Sequence, residues 1–158
     1  MPFEVRVLRR VEFSETDMAG IMHFSNFFRY METAEHAFLR SVGFSVVLSK
    51  THPGLCLPRV HAECDYMAPL QFEDEVEVHL LVSAKTRRTL SYQFRFKRLD
   101  GDEPQLVARG LLTVVCATRQ PDGALKAVSL PEEFARRIDV APPAMLELPR
   151  RTINKKAI

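Results

Sequence analysis

The chain has 158 residues, 46% of them hydrophobic and 27% charged, with a formal charge of +2; this is the make-up of one globular domain, able to bury roughly 70% of its unfolded surface. Wholesale disorder, collagen-like repeats and disulfide-held miniproteins are excluded. Residues 136–158 carry six Lys and Arg against Asp139 and Glu147, a net of +4, which leaves residues 1–135 at −2, so the body is not a basic nucleic-acid-binding domain.

Phe3, Val5, Val7, Val11 and Phe13 alternate imperfectly with charges and predict a strand over 3–14. Glu15 to Ser25 is a polar, turn-like stretch containing Asp17 and Gly20. After it Phe24, Phe27, Phe28, Met31, Ala34, Phe38, Leu39 and Val42 recur at three- and four-residue steps, the wide apolar stripe of a helix. Ser25 or Asn26 stands where it would be capped, and Gly43 where it would stop. A loop with His52, Pro53, Gly54 and Pro58 leads into four alternating strands. Val60, Ala62, Cys64 and Tyr66 share one face of the first; Val76, Val78, Leu80 and Val82 one face of the second; Leu90, Tyr92, Phe94 and Phe96 one face of the third. The fourth, 105–118, is apolar on both faces and belongs inside the sheet. Residues 119–158 hold five of the ten prolines and one short helix candidate, Pro131 to Ile138, and otherwise read as a peripheral tail. The expected division is a domain over 1–120 and a C-terminal extension over 121–158.

Loops this short forbid parallel crossovers among the last four strands, so the sheet is expected to be mostly antiparallel. One helix is its only sizeable cover, which gives an α+β architecture: a long antiparallel sheet wrapped around one central helix. The edges such a sheet leaves open predict a homodimer, or a tetramer built from dimers. Cys56, Cys64 and Cys116 form neither a disulfide framework nor a zinc ribbon and fit a reducing cytoplasm. The Met-Pro-Phe-Glu-Val-Arg start lacks the pattern of a signal peptide, and no stretch approaches the roughly 18 apolar residues of a membrane span, so no integral membrane association is expected.

No Gly-x-Ser-x-Gly elbow, phosphate-binding Gly-rich loop or His-Glu-x-x-His is present. His61-Ala62-Glu63 matches half of a zinc deaminase signature, but no Pro-Cys-x-x-Cys follows, and the two polar residues are more simply same-face neighbours on a strand. The informative run is Thr16 to Glu32, Thr-Asp-Met-Ala-Gly-Ile-Met-His-Phe-Ser-Asn-Phe-Phe-Arg-Tyr-Met-Glu. Here a carboxylate, Asp17, precedes a helix whose first free N–H groups point back toward the loop, so base or nucleophile and oxyanion site can flank one carbonyl. The competing reading makes Asp17 and Gly20 an Asx-type turn and nothing more.

The same run resembles the signature of the hotdog-fold thioesterases of the 4-hydroxybenzoyl-CoA thioesterase family: Thr-Asp, Ala-Gly, an aromatic-rich Asn-containing helix start, then a Glu. Leu57 to Pro69 resembles the family's second strand, including members that hydrolyse 1,4-dihydroxy-2-naphthoyl-CoA. The resemblance covers roughly residues 3–118. It implies a hotdog fold and hydrolysis of an acyl-CoA or acyl-carrier-protein thioester, with neither metal nor redox cofactor. It assigns Asp17 as nucleophile or general base and the backbone N–H of Phe24 as oxyanion donor. His23 stands where the family usually has Tyr or Phe, either as a hydrogen-bond donor into the pocket or as a structural His; Phe24 stands where many members carry His or Tyr. Glu32 matches the family's helix Glu, with a positioning or interfacial role set against a plain solvent-facing charge. Lys85, Arg87 and Arg88 bracket a hairpin where coenzyme A phosphates would meet cations, or form a solvated tip; Arg59, Arg150, Arg151, Lys155 and Lys156 are further candidates. The aromatic stripe is expected to be core first and acyl-pocket lining second, and Cys64 an inert buried thiol. Two rivals remain: a hotdog 3-hydroxyacyl thioester dehydratase using His23 beside Asp17, and a non-catalytic acyl-CoA binding module.

Overall fold

The computed structural model describes residues 2–48 and 52–147; the basic positions from Arg150 onward lie outside them. Strand β1 (Glu4–Arg10) leads through a 3-10 turn (Phe13–Glu15) to helix α1 (Asn26–Ser41). Then come β2 (Leu55–Cys56), β3 (Arg59–Tyr66), β4 (Glu75–Lys85), β5 (Thr89–Arg98), β6 (Gln105–Val115), β7 (Ala117–Arg119), β8 (Leu125–Ala127) and the short helices α2 (Glu132–Arg136) and α3 (Pro143–Leu146). The five long strands form one sheet in the order β1-β4-β5-β6-β3, antiparallel at every pairing. As expected, β6 lies inside the sheet; β5 is its middle strand. A small sheet, β2-β7-β8, closes one end.

The alternation of the strands is what places the core. Val76, Val78, Leu80 and Val82 of β4 and Leu90, Tyr92, Phe94 and Phe96 of β5 are fully buried. They face Phe27, Tyr30, Met31, Ala34, Phe38 and Leu39 of α1, also buried. The helix lies so close to β6 that a Cβ at Gly110 would run into the Met31 thioether, which explains a glycine in the middle of a strand. Gly43, at φ +84°, ends the helix: Phe44 N–H reaches Leu39 C=O at 2.9 Å and Gly43 N–H reaches Arg40 C=O at 3.0 Å, a Schellman stop.

Three expectations need correction. The helical stripe does not extend to its first member: Phe24 is 61% exposed and Phe28 only half-buried. Neither Ser25 nor Asn26 caps α1 through its side chain; Ser25 Oγ pairs with His23 Nδ1 at 2.7 Å, and Asn26 Nδ2 donates to the Glu15 carbonyl at 2.8 Å. The expected helix within Pro131–Ile138 forms as α2 and packs through Phe134 and Ile138, Phe134 edge-on to Phe44 at 4.8 Å, but the residues beside it are not all a peripheral tail, because Leu130 and Ala141 are also buried. Residues 139–147 then run beside the sheet, where Ala141 N–H bonds Val82 C=O at 2.8 Å and Arg95 donates to the carbonyl of Met145. Among the described residues, no helix is long and apolar enough to cross a membrane.

Strand β3 is an edge, paired with β6 alone, and most of its residues are exposed, Val60 and Tyr66 among them. His61 Nε2 and Glu63 Oε2 meet at 3.0 Å on one face, the same-face pair the alternation predicts.

Candidate active site

The loop between the 3-10 turn and α1 is fastened chiefly through Glu15. Its carbonyl accepts the His23 N–H and Asn26 Nδ2, both at 2.8 Å. Its carboxylate accepts the Tyr30 hydroxyl at 2.6 Å and the Glu12 N–H at 2.9 Å, with the Arg9 guanidinium 3.6 Å away and stacked 4.8 Å from the Tyr30 ring centre. Burial, and then the bond to Glu15, pushes the Tyr30 hydroxyl well above its ordinary pKa, so it stays a donor. One residue thereby ties β1, the turn and two turns of helix together, two positions before Asp17.

Asp17 itself forms the expected Asx turn: Oδ1 accepts Ala19 N–H at 2.8 Å, its carbonyl accepts Gly20 N–H at 3.0 Å, and Gly20 takes φ +77°. Ile21 C=O accepts the Asp17 N–H at 2.9 Å, and Met22 N–H bonds Leu70 C=O at 2.7 Å. The turn therefore presents Asp17 at the rim of a cavity of about 470 Å³, lined by Asp17, Ile21, Met22, Phe24, Phe27 and residues 66–70. Turn residue and pocket carboxylate are here the same group.

Phe24 and Phe27, at the start of α1, line the same cavity. The first helical amides make short-range bonds, Asn26 N–H to His23 C=O at 2.9 Å and Phe27 N–H to Phe24 C=O at 3.4 Å. The N–H of Phe24 has no acceptor among the described residues. It lies at the positive end of a 16-residue helix, on a residue that lines the same cavity as Asp17. Tyr66 braces this corner from β3: its hydroxyl donates to the Phe24 carbonyl at 3.0 Å, and its ring meets Phe27 edge-on at 5.0 Å. A carboxylate and an unengaged amide on residues lining one apolar cavity are the groups with which a site can attack, or deliver water to, a carbonyl whose oxygen the amide receives.

The other candidates sit elsewhere. His23 stacks on Phe24 at 4.5 Å with Nδ1 on Ser25 Oγ, and is absent from the cavity lining. Glu32 is 48% exposed and lies 3.2 Å from Arg59 and 3.8 Å from His36. Arg59 is bound between Glu32 and the buried Glu35. Lys85 Nζ donates to the carbonyls of Ala135 and Ile138, holding α2 against the end of β4. Arg87 is exposed with Nε on Ser129 Oγ at 2.8 Å, while the exposed Arg88 has no side-chain partner among the described residues. Burial pushes the Cys64 thiol up to about 11, which keeps it protonated. Among the described residues no three His, Cys, Asp or Glu side chains gather as a metal group.

Missed from sequence were Glu15, Tyr30, Tyr66 and Glu35. Glu35 had a usable signal: it falls four residues after Met31 and three before Phe38, inside the apolar stripe. Glu15 had none, since much of its work is done by a backbone carbonyl.

A family model described as the thioesterase-like superfamily matches residues 11–138. A protein of Aquifex aeolicus (strain VF5) that bears a provisional esterase name is 44% identical over 94 residues, which span 60% of this chain and 71% of that protein. The crystal structure of a 1,4-dihydroxy-2-naphthoyl-CoA thioesterase from Synechocystis superposes with a TM-score of 0.75 at 25% identity, covering 85% of this chain and 94% of that one. The 4-hydroxybenzoyl CoA thioesterase from Pseudomonas sp. strain CBS-3, at 19% identity, shares the fold, with a TM-score of 0.78 over 86% of this chain and 99% of that one. A sheet wrapped around one helix, with the matched span enclosing both the Asp17 turn and the Phe24 corner, is thus common ground: the chain belongs to the thioesterase-like superfamily, has the hotdog fold and is a thioester hydrolase.

Proposed function

We propose that the chain hydrolyses an acyl-CoA or acyl-carrier-protein thioester to a carboxylate and a free thiol, using Asp17 and the Phe24 N–H. The observation that carries this is that both residues line one cavity, the Phe24 amide having no acceptor among the described residues and standing just before a helix N-terminus. With the thioester oxygen on that N–H, Asp17 acts in one of two ways. As nucleophile, it forms an acyl-aspartyl anhydride and expels the thiolate, after which water cleaves the anhydride; as general base, it takes a proton from the attacking water. Either way the acyl–sulfur bond breaks and the sulfur leaves as thiolate. A thioester is electrophilic enough for a placed carboxylate and one preorganised donor to suffice without metal or redox group. A thiol-release assay across acyl-CoAs and acyl-carrier-protein thioesters tests the reading. Release from at least one of them is expected; binding without release, or water loss from 3-hydroxyacyl substrates, would sink it. A dehydratase needs an imidazole in the cavity, and the His23 ring is engaged with Ser25 outside it.

Exposure of β3 next to Tyr66 and Met67, which line the cavity, favours pairing of β3 with β3 of a second copy. Light scattering at micromolar concentration is expected to return twice or four times the 18.1 kDa of one chain; a single-chain mass would overturn this. Such pairing also gives the hairpin a task. Within one chain the 86–88 tip is remote from the cavity, since Thr89 to Phe96 is about 24 Å of strand. Antiparallel pairing across a two-fold axis reverses the second sheet and carries its Arg87 and Arg88 to the end where Asp17 lies, in reach of coenzyme A phosphates. Replacing both by Ala is expected to raise KM for acyl-CoA by about three- to tenfold with kcat little changed, because remote phosphate contacts contribute uniform binding. An unchanged KM at low salt would refute the assignment. Lys85 is left out of that test because it ties α2 to β4.

A further inference from the structure

We infer that Asn26 is a positioning residue: its amide ties the segment that carries Asp17 to the peptide group that carries the Phe24 N–H, and so sets where these two groups stand relative to one another. The inference rests on the hydrolase reading above, in which both act on one thioester carbonyl. Asn26 opens α1 and is 8% exposed, yet its side chain does not cap the helix. A buried amide needs a partner for its hydrogens, and this one finds it outside the helix: Nδ2 donates to the Glu15 carbonyl at 2.8 Å. That carbonyl belongs to the Glu15–Thr16 peptide, next to Asp17, and the N–H of the same peptide donates to the Phe13 carbonyl at 3.1 Å.

The backbone of Asn26 holds the other half of the site. Its N–H donates to the His23 carbonyl at 2.9 Å. The His23 carbonyl and the Phe24 N–H are the two ends of one planar trans peptide and point in opposite directions, so fixing the first aims the second. The His23 N–H closes the arrangement on the Glu15 carbonyl, also at 2.8 Å. Asn26 therefore bonds both the peptide of the oxyanion donor and the peptide before Asp17. It does so from a helix anchored in the core by Phe27, Tyr30 and Met31. Every one of these bonds lies within one chain, so none depends on how two copies meet.

Asn26→Leu removes the side-chain donor with little change of shape and leaves no orphaned acceptor, because the Glu15 carbonyl keeps the His23 N–H. Asn26→Asp removes the same donor and adds a negative charge in the first helical turn, where it favours folding, and it stands in where Leu weakens the fold. A displacement on the order of 1 Å costs about 10² in rate. In either variant kcat is therefore expected to fall by about 10- to 100-fold, with KM within about threefold of the unmodified enzyme. A double-mutant cycle separates positioning from general loosening. In an Asp17→Asn background, Asn26→Leu is expected to change kcat by less than about threefold, since no carboxylate is left to place. The full loss recurring in that background would overturn the inference. So would a folded Asn26→Leu or Asn26→Asp protein with kcat within about threefold of the unmodified enzyme, an outcome that leaves the hydrolase reading intact. Hydrogen exchange of the unliganded protein reads the tie without turnover: the His23 N–H is expected to exchange about 3- to 10-fold faster in Asn26→Leu, with the amides of β5 unchanged. Equal exchange at His23 would refute the tie. Faster exchange there, with no thioester turned over by the unmodified protein, would uphold the tie and refute hydrolysis.

Discussion

Asp17→Asn is expected to lower kcat by about 10² to 10⁴, because the amide can neither take a proton from water nor attack a carbonyl. The geometry makes this substitution unusually clean. The structural duty of Asp17, accepting the Ala19 N–H at 2.8 Å through Oδ1, passes to the Asn carbonyl, and the Gly20 turn is closed by backbone alone. Melting temperature should therefore stay within a few degrees while rate collapses. KM should change less than kcat, since the charge acts when the carbonyl is attacked and the apolar cavity that receives the acyl group is untouched. A folded Asp17→Asn protein that hydrolyses its best substrate within threefold of the unmodified enzyme would show that the residue only shapes the turn. Mass spectrometry after single turnover in ¹⁸O-water tests the nucleophile role: label in the Asp17 carboxylate shows an anhydride opened at the aspartyl carbonyl, whereas label in the product acid alone fits both a general base and an anhydride opened at the acyl carbonyl.

What the sequence made legible was whatever repeats. Met31, Ala34, Phe38 and Leu39 mark the helix by spacing, and Leu90 to Phe96 mark the middle strand by alternation, since one buried face imposes a period. Both patterns fail where an element has no second layer over it. Phe24 reads as the stripe's first member, yet it sits past the sheet's cover at the cavity mouth, 61% exposed. The Val60 to Tyr66 alternation is genuine but faces solvent in a single chain, because β3 is an edge. Leu130, Phe134 and Ile138 repeat at four residues and return to the core, although the surrounding prolines read as tail. Asp17 was legible as a carboxylate in a turn before a helix. Its link to Phe24 through Glu15, Asn26 and Tyr30 was not, because hydrogen bonds to a carbonyl leave no mark on residue identity.

Replacing Arg59 by Ala should destabilise the protein by about 1.5 kcal/mol near pH 8, and by much less at pH 5. Removing one partner of a buried ion pair costs about 3 to 5 kcal/mol when the other keeps its charge; the loss is smaller here because the partner can take up a proton at about 1.4 kcal/mol per pH unit above its pKa, and because Arg59 itself is 32% exposed. Its partner is not: Glu35 is 1% exposed, bonded through Oε2 to Arg59, with Oε1 left without a hydrogen-bond partner. Burial drives the Glu35 carboxyl up to about 7; Arg59 holds it down and Glu32 pushes it up. A folded-state pKa raised above the unfolded value of 4.5 means that ionisation works against folding. This contribution to stability is greatest below pH 4.5, declines as pH rises to 7 and is level above. Without Arg59 the carboxyl rises further, so the loss grows with pH above 7 and closes toward pH 5, where Glu35 is protonated in both proteins. For a chain of this size, about 1.5 kcal/mol is a fall of roughly 3 to 6 °C in melting temperature. Glu35→Gln should melt above the unmodified protein at pH 8, converge with it as pH falls toward 4.5, and make a subsequent Arg59→Ala nearly neutral. If Arg59→Ala melts unchanged at pH 8, the pair contributes nothing, and Arg59 is free to serve as a phosphate contact, the role for which the sequence offered it as a further candidate.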